Sequence, residues 1–288
     1  MRLVHRLARQ VLPFVVLAAL VASGLLLYSG ERDGQQQGYI LGDDDSASRL
    51  DITITILKLD PAAQQLTVEM LPDPKGDLTT APGSLVPARS FTVETSSLVK
   101  SVIQYPADQR VTATDLTVNA QGITSDYPFD RYSAQIGLSA HAGGATLPVS
   151  LTLDDADPSF RLAITRSTSD TGYATFDVSM KRSRSTLIFV CLMAAVMWAL
   201  ALAVAAAARV QVRRRRGLTW PALGWMAATL FALTAFRNAA PGSPPIGSIL
   251  DYAAYLWAEL IVAVSLVVTV IAGIRAENVE AEAEARRA

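Results

Sequence analysis

The sequence predicts a membrane α + β protein: four transmembrane helices, with one extracytoplasmic all-β, sandwich-like domain between the first and the second. Three observations carry that expectation. The apolar residues pile up into four long runs, the arginines gather in the segments that would share one side of a bilayer, and the long stretch 29–185 alternates apolar and polar residues in short blocks.

The four runs are residues 11–28, 187–208, 218–236 and 252–274. A helix rises about 1.5 Å per residue and a hydrocarbon core is about 30 Å thick, so each run is long enough to cross. They leave a short N-terminus (1–10), the β domain (29–185), an Arg-rich link (209–217), a Pro-rich loop (237–251) and a tail (275–288).

Positive residues near helix ends are retained on the cytoplasmic side. Arg2, Arg6 and Arg9 precede the first run, Arg209 and Arg213 to Arg216 fill the link, and Arg275, Arg286 and Arg287 follow the last run. Four crossings put all of them on one side, against the three opposing residues Lys181, Arg182 and Arg184. The expectation is a multi-pass protein of the plasma membrane, with both termini cytoplasmic and residues 29–185 and 237–251 outside. A basic start followed by an apolar core also describes a cleavable signal peptide, and Ala22, Ser23 and Gly24 resemble a cleavage site. The apolar run nevertheless continues through Leu25, Leu26, Leu27 and Tyr28, which favours an uncleaved anchor.

Composition narrows the partners. Residues 29–185 hold 20 acidic and 13 basic side chains, a net charge of −7. Nucleic-acid phosphates require a basic surface, so nucleic acid is excluded as a partner of this domain. The lipid bilayer and other envelope membrane proteins are the expected ones. The single cysteine, Cys191, lies inside the second apolar run, where no disulfide within the chain can form. The Arg-rich link reads first as a topology determinant and second as a contact for anionic lipid. The tail, with Glu282 and Arg286 spaced i,i+4, reads as a solvated helical extension.

Within the domain, Leu50, Ile52, Ile54 and Ile56 alternate with Asp51, Thr53 and Thr55, the period of a half-buried strand. Asp60-Pro61 starts a turn, and Leu66, Val68 and Met70 resume the alternation, so the pair predicts a hairpin. Further alternating runs cover 90–95, 110–118, 132–140, 146–153, 160–166 and 173–181, separated by turn signals such as Gly143-Gly144 and Asp157-Pro158. Seven or eight short strands without a helix between them predict a β-sandwich.

No motif points to catalysis, a cofactor or a metal. Two acidic clusters, Asp43 to Asp45 and Asp154, Asp155 and Asp157, have the chemistry for calcium, yet lack the spaced ligands and turn glycine of a dedicated loop. His5 and His141 have no nucleophile or ligand partner at diagnostic spacing. No enzyme is expected, and no cofactor.

Two segments stand out as candidate interaction or coupling sites. The first is Tyr127-Pro128-Phe129-Asp130-Arg131-Tyr132, more aromatic than an exposed loop should be. The second joins the last two runs, from Phe236 and Arg237 through three prolines to Asp251, Trp257 and Glu259. An acid inside a membrane helix is costly unless paired, and Arg237 is the cation nearest Glu259 in sequence. Interface anchoring, a structural ion pair and a transport site are the open alternatives for this segment. The two segments are also expected to meet: Phe129 or Tyr132 touching the loop 238–248, with Asp130 close enough to Arg237 to feel its charge.

Through these same residues, Tyr127 to Tyr132 and Phe236 to Trp257, the chain resembles the bacterial membrane proteins grouped as domain of unknown function family 4436, frequent in actinobacteria. The resemblance implies an architecture and no activity. Tyr127-Pro128-Phe129-Asp130 alone looks like the proline-bearing loop of pentameric ligand-gated channels. Those channels, however, have four helices after their sandwich and no N-terminal anchor, and none of the apolar runs here carries the Ser/Thr stripe of a pore. The expected function is therefore a non-enzymatic envelope binding or accessory protein acting through its β domain, with a subunit of a transporter or ligand-gated channel-like assembly as the alternative.

Overall fold

A computed structural model describes residues 39–42, 46–170, 173–214 and 217–287, together with Gly24. The first apolar run, Gly24 aside, and Asp43 to Asp45 lie outside the described residues, as do His5, Arg2, Arg6, Arg9, Arg215 and Arg216. The chain divides into two compact units: one takes residues up to 123 and 131–185, the other 124–130 and 186 onward.

The first unit is a large β-sheet domain of eleven strands. Strand β2 (Leu50–Asp60) and β3 (Gln65–Pro74) form the expected hairpin. Leu50, Ile52, Ile54 and Ile56 point into the core, but strict alternation would then aim Lys58 inward. A bulge between Ile56 and Lys58 adds one residue and restores the phase, so Leu59 is buried in its place. At the hairpin tip the Asp60 carboxylate accepts the amides of Ala62 and Ala63, both at 3.0 Å, and closes the turn.

One layer runs in the order β1 (Tyr39–Gly42), β9 (Val149–Asp155), β2, β3, β6 (Thr114–Gly122). It is antiparallel except where β2 meets β9. The other layer is built on β7 (Arg131–Ala142), flanked by β11 (Tyr173–Arg182) and β10 (Phe160–Asp170) on one side. On its other side lie β6 and then β4 (Phe91–Thr95), which pairs β5 (Val102–Tyr105). A short β8 (Ala145–Thr146) folds back on the end of β7. Strand β6 belongs to both layers: Thr114–Asn119 pair with β3, and Ala120–Gly122 pair with β7. A glycine is required at that crossing, because a Cβ on Gly122 would lie 2.3 Å from the Tyr132 ring and 2.4 Å from the Arg131 carbonyl. The inward residues of both layers form one apolar cluster, the arrangement of a sandwich. Strands β1 and β5, four residues each, are too short for periodicity to have revealed them.

The second unit holds three long helices: α1 (Arg184–Arg213, its first two residues counted with the β unit), α2 (Trp220–Asn238) and α3 (Leu256–Ala285). A π-helical turn, Asp251–Tyr255, leads into α3. The expected four transmembrane helices are corrected here. The described residues contain three long helices, of which two, Arg184–Arg213 and Asp251–Ala285, are long and apolar enough to cross a membrane. Helix α2 falls short of that measure because 19 residues must accommodate Trp220, Pro221, two threonines and Arg237.

The three helices contribute to one apolar cluster. On α1 the buried residues Val190, Met193, Met197, Ala201, Val204 and Ala208 recur at helical spacing. On α3 the buried row is Ala258, Val262, Ser265, Thr269 and Gly273. Small residues let backbones approach closely, and at Gly273 an added Cβ would meet Leu218 at 3.1 Å. The hydroxyls of Thr229, Ser265 and Thr269 each donate to the carbonyl four residues earlier in their own helix, so these polar groups need no partner across the bundle.

Candidate functional site

The described residues place the site at the end of the helical unit where α2 leads into α3. Its centre is an ion pair. Arg237, in the last turn of α2, donates from Nε to Asp251 Oδ1 and from Nη2 to Asp251 Oδ2, both at 2.9 Å, the bidentate geometry that suits guanidinium and carboxylate. The same Nη2 also donates to the Pro245 carbonyl at 2.8 Å. Asp251 Oδ2 accepts in addition the Gly247 amide at 2.8 Å, the Ser248 amide at 3.2 Å and the Ser248 hydroxyl at 3.3 Å. Asp251 is only 2% exposed, so water does little to share its charge.

The local sequence explains this arrangement. Ser248 is the residue before the first helical position, and Asp251 stands three further on, so Ser248-Ile249-Leu250-Asp251 is a capping box in which the acid reaches back to the Ser248 amide. The prolines stiffen the approach, while Gly242 (φ 77°) and Gly247 (φ 89°) supply the left-handed turns that bring it round. Here one capping carboxylate also receives an arginine from the preceding helix. The loop 239–248 is thus held at its root by hydrogen bonds from both sides. The capping pattern is readable in sequence but was not among the expected site features, so Ser248 and Gly247 were missed.

Of the alternatives left open for this segment, a structural ion pair does form, and Arg237 makes it with Asp251 and not with Glu259, the acid to which it was the nearest cation in sequence. Glu259 sits two turns further along α3, half-buried, in hydrogen-bond contact with Tyr255. Its Oε2 is buried and has no hydrogen-bond partner among the described residues. The Tyr255 hydroxyl lies 3.4 Å from the Thr234 hydroxyl, which continues the polar row onto α2. Trp257 is exposed.

The aromatic segment divides. Thr124–Asp126 form a short 3-10 turn, and Tyr127, joined to the buried Pro128 by a cis peptide bond, is 0% exposed. Tyr127 belongs to the helical cluster that includes Ala240 and Leu250. Phe129, one of the two residues expected to touch the 238–248 loop, is 61% exposed and belongs to neither buried cluster. Tyr132, the other expected contact, belongs to the β core, where its ring meets Phe160 edge-on at 5.8 Å. Asp130 is buried and Arg131 exposed. Asp251, Tyr255 and Tyr127 all lie close enough to Arg237 to act on its charge. The residue that joins the two standout segments is therefore Tyr127, one position before the proline.

The acidic cluster of the β domain has a structural use. Asp155 accepts the amides of Asp157 and Leu162 at 3.1 and 3.2 Å, and Asp157 accepts those of Ser159 and Leu59, both at 2.8 Å. Burial pushes the Asp155 carboxyl above the usual range, partly offset by those amides. His141 Nε2 lies 3.5 Å from Ser139 Oγ on the same face of β7, beyond the distance of a strong hydrogen bond.

No curated protein is similar enough to the chain to count as a match. Two family profiles do match, and they divide the standout segments between them. One, described as domain of unknown function (DUF4436), takes residues 40–180, which include Tyr127 to Tyr132. The other, domain of unknown function (DUF8686), takes residues 182–276, with the Arg237 and Asp251 staple and Glu259. The chain therefore belongs to the DUF4436 family through its β domain and carries a DUF8686 region through its helices.

Proposed function

We propose that this is a non-enzymatic accessory protein of the cell envelope, whose extracytoplasmic β domain binds a partner while the helices hold it in the plasma membrane. The observation that carries this proposal is the saturation of the Arg237–Asp251 pair. Arg237 is spent on two carboxylate oxygens and the Pro245 carbonyl, and Asp251 on the arginine and the root of the loop. A group that moves ions or protons needs free valence, whereas a staple needs none.

In this proposal the β domain is outside and the link with Arg209, Arg213 and Arg214, beyond α1, is cytoplasmic. Helices α1 and α3 have the length and hydropathy to cross. Tyr252 and Trp257 are exposed at one end and Trp220 at the other, where amphipathic rings suit membrane–water interfaces. The rival, a transporter or channel-like subunit, draws its support from Glu259 with its unpartnered oxygen.

Vesicles containing the purified chain separate the two. The accessory role predicts no more proton or cation leak than in empty vesicles, and co-purification of the same envelope proteins by wild type and Glu259→Gln. A leak that Glu259→Gln abolishes would establish the rival.

A further inference from the structure

The helical unit contains a pocket of about 450 Å³ at its other end, where the end of α1, the start of α2 and the last part of α3 come together. That volume falls within the range of small-molecule sites. Along α3 it extends from Thr269 to Glu280, roughly 16 Å at 1.5 Å per residue. Its lining is mixed: Leu218, Leu223, Ala272 and Val279 supply apolar wall, and Arg275 and Glu280 supply the two charges.

Two acidic side chains stand close by, and they differ. Glu277 accepts the Leu218 amide at 2.8 Å, which ties it to the link between α1 and α2. Arg275 and Glu280, in contrast, make no side-chain ion pair or hydrogen bond among the described residues, with each other or with anything else. The pocket thus offers an exposed cation and an exposed anion beside apolar wall.

We propose that this pocket binds the headgroup of a zwitterionic phospholipid bearing a primary ammonium. The Arg275 guanidinium takes the phosphodiester, the Glu280 carboxylate takes the ammonium, and the apolar wall of Leu218, Leu223 and Val279 takes the start of the acyl chains. Phosphate suits a planar guanidinium fork, and an ammonium with three N–H donors suits a free carboxylate. A purely anionic headgroup would leave Glu280 facing like charge, and a trimethylammonium has no N–H to donate. The proposal rests on the helices spanning the membrane, with this end at the cytoplasmic interface.

The test is native mass spectrometry of the full chain in mild detergent, with phosphatidylethanolamine, phosphatidylcholine and phosphatidylglycerol supplied at equal concentration. Retention of phosphatidylethanolamine over phosphatidylcholine should be about tenfold, the worth of one charge-assisted hydrogen bond. Glu280→Gln should bring that ratio near one, Arg275→Gln should weaken all three lipids, and Glu284→Gln, one turn along, should change nothing. Equal retention of the ethanolamine and choline lipids, or of the ethanolamine and glycerol lipids, overturns the assignment, as does an unchanged ratio in Glu280→Gln. Displacement of the lipid by millimolar inorganic phosphate also overturns it, by assigning the pocket to a soluble anion. A chain that sediments with membranes yet shows no preference sinks the pocket alone, whereas a chain recovered in the soluble fraction sinks the membrane reading with it.

Discussion

Ile54 and Thr53 are neighbours on one strand, yet the fold treats them oppositely: Ile54 is fully buried and Thr53 faces outward, half-covered. Replacing Ile54 by Asp puts a charge into the apolar cluster and should cost the β domain several kcal/mol, about 3 to 5, or prevent its folding. Thr53→Asp should change stability by less than about 1 kcal/mol. Thermal unfolding of the full chain, followed by its β circular dichroism, reads both, and equal effects would refute the assigned face. Gly122→Ala belongs with Ile54→Asp, since its new methyl has the Tyr132 ring and the Arg131 carbonyl in its way. The alternation at Ile54 was visible in the sequence, but the demand at Gly122 was not, because the close approach comes from Tyr132, ten residues away across a strand pairing. Asp155 gives a pH signature. Burial raises its folded-state pKa above the unfolded value, so its contribution to stability is full below the unfolded pKa, near 4, and is lost as pH rises through the folded one. Wild type should therefore gain stability relative to Asp155→Asn as pH falls from 7 towards 4. A difference between the two that does not vary with pH would disprove the shift.

At the scale of elements, the loop between α2 and α3 is cross-linked at its root by the Arg237–Asp251 pair and by the amides of Gly247 and Ser248. Arg237→Met removes one partner of a buried pair and leaves Asp251 charged, a change that typically costs about 3 to 5 kcal/mol. Asp251→Asn keeps part of the capping geometry but loses the bidentate charge, so it should cost less than Arg237→Met. Limited proteolysis of the full chain in detergent should reveal the loop as a new cleavage site in Arg237→Met and spare it in wild type. Cleavage that is unchanged would mean that the prolines alone hold the loop. Part of this element was legible: three prolines, Arg237 and Asp251 were all marked in the sequence as belonging together. The partner assignment was not, because Asp251 and Glu259 differ by only two helical turns. Chain separation ranks both as neighbours of Arg237, whereas the turn at Gly247 and Ser248 delivers only Asp251.

For the molecule as a whole, topology is the property to measure. With Cys191 replaced by Ala, single cysteines at Ser46 and Gly217 should differ in intact cells: an impermeant thiol reagent should label the first and miss the second. Labelling of Gly217 without Ser46 would invert the proposed orientation.

What the sequence by itself determined is whatever rests on short-range periodicity and composition. The β2–β3 hairpin, most of the longer strands, the apolar character of α1 and α3, and the acidity of the β domain can all be read within windows of ten to twenty residues. Hydrophobic burial acts on each such window directly, through its own alternating or helical face. The tertiary structure alone decided what depends on residues far apart in the chain. It showed β6 passing from one layer to the other, Tyr127 in the cluster of Ala240 and Leu250, Asp251 as the partner of Arg237, and Gln211 and Leu223 in one pocket with Glu280. It also corrected the span assigned to the run 218–236, because the helix that forms there starts at Trp220 and ends at Asn238, so it takes in Arg237 and Asn238 in exchange for Leu218 and Thr219. Those pairings are set by shape and hydrogen-bond valence between segments, and such valence leaves no periodic trace in the residues that carry it.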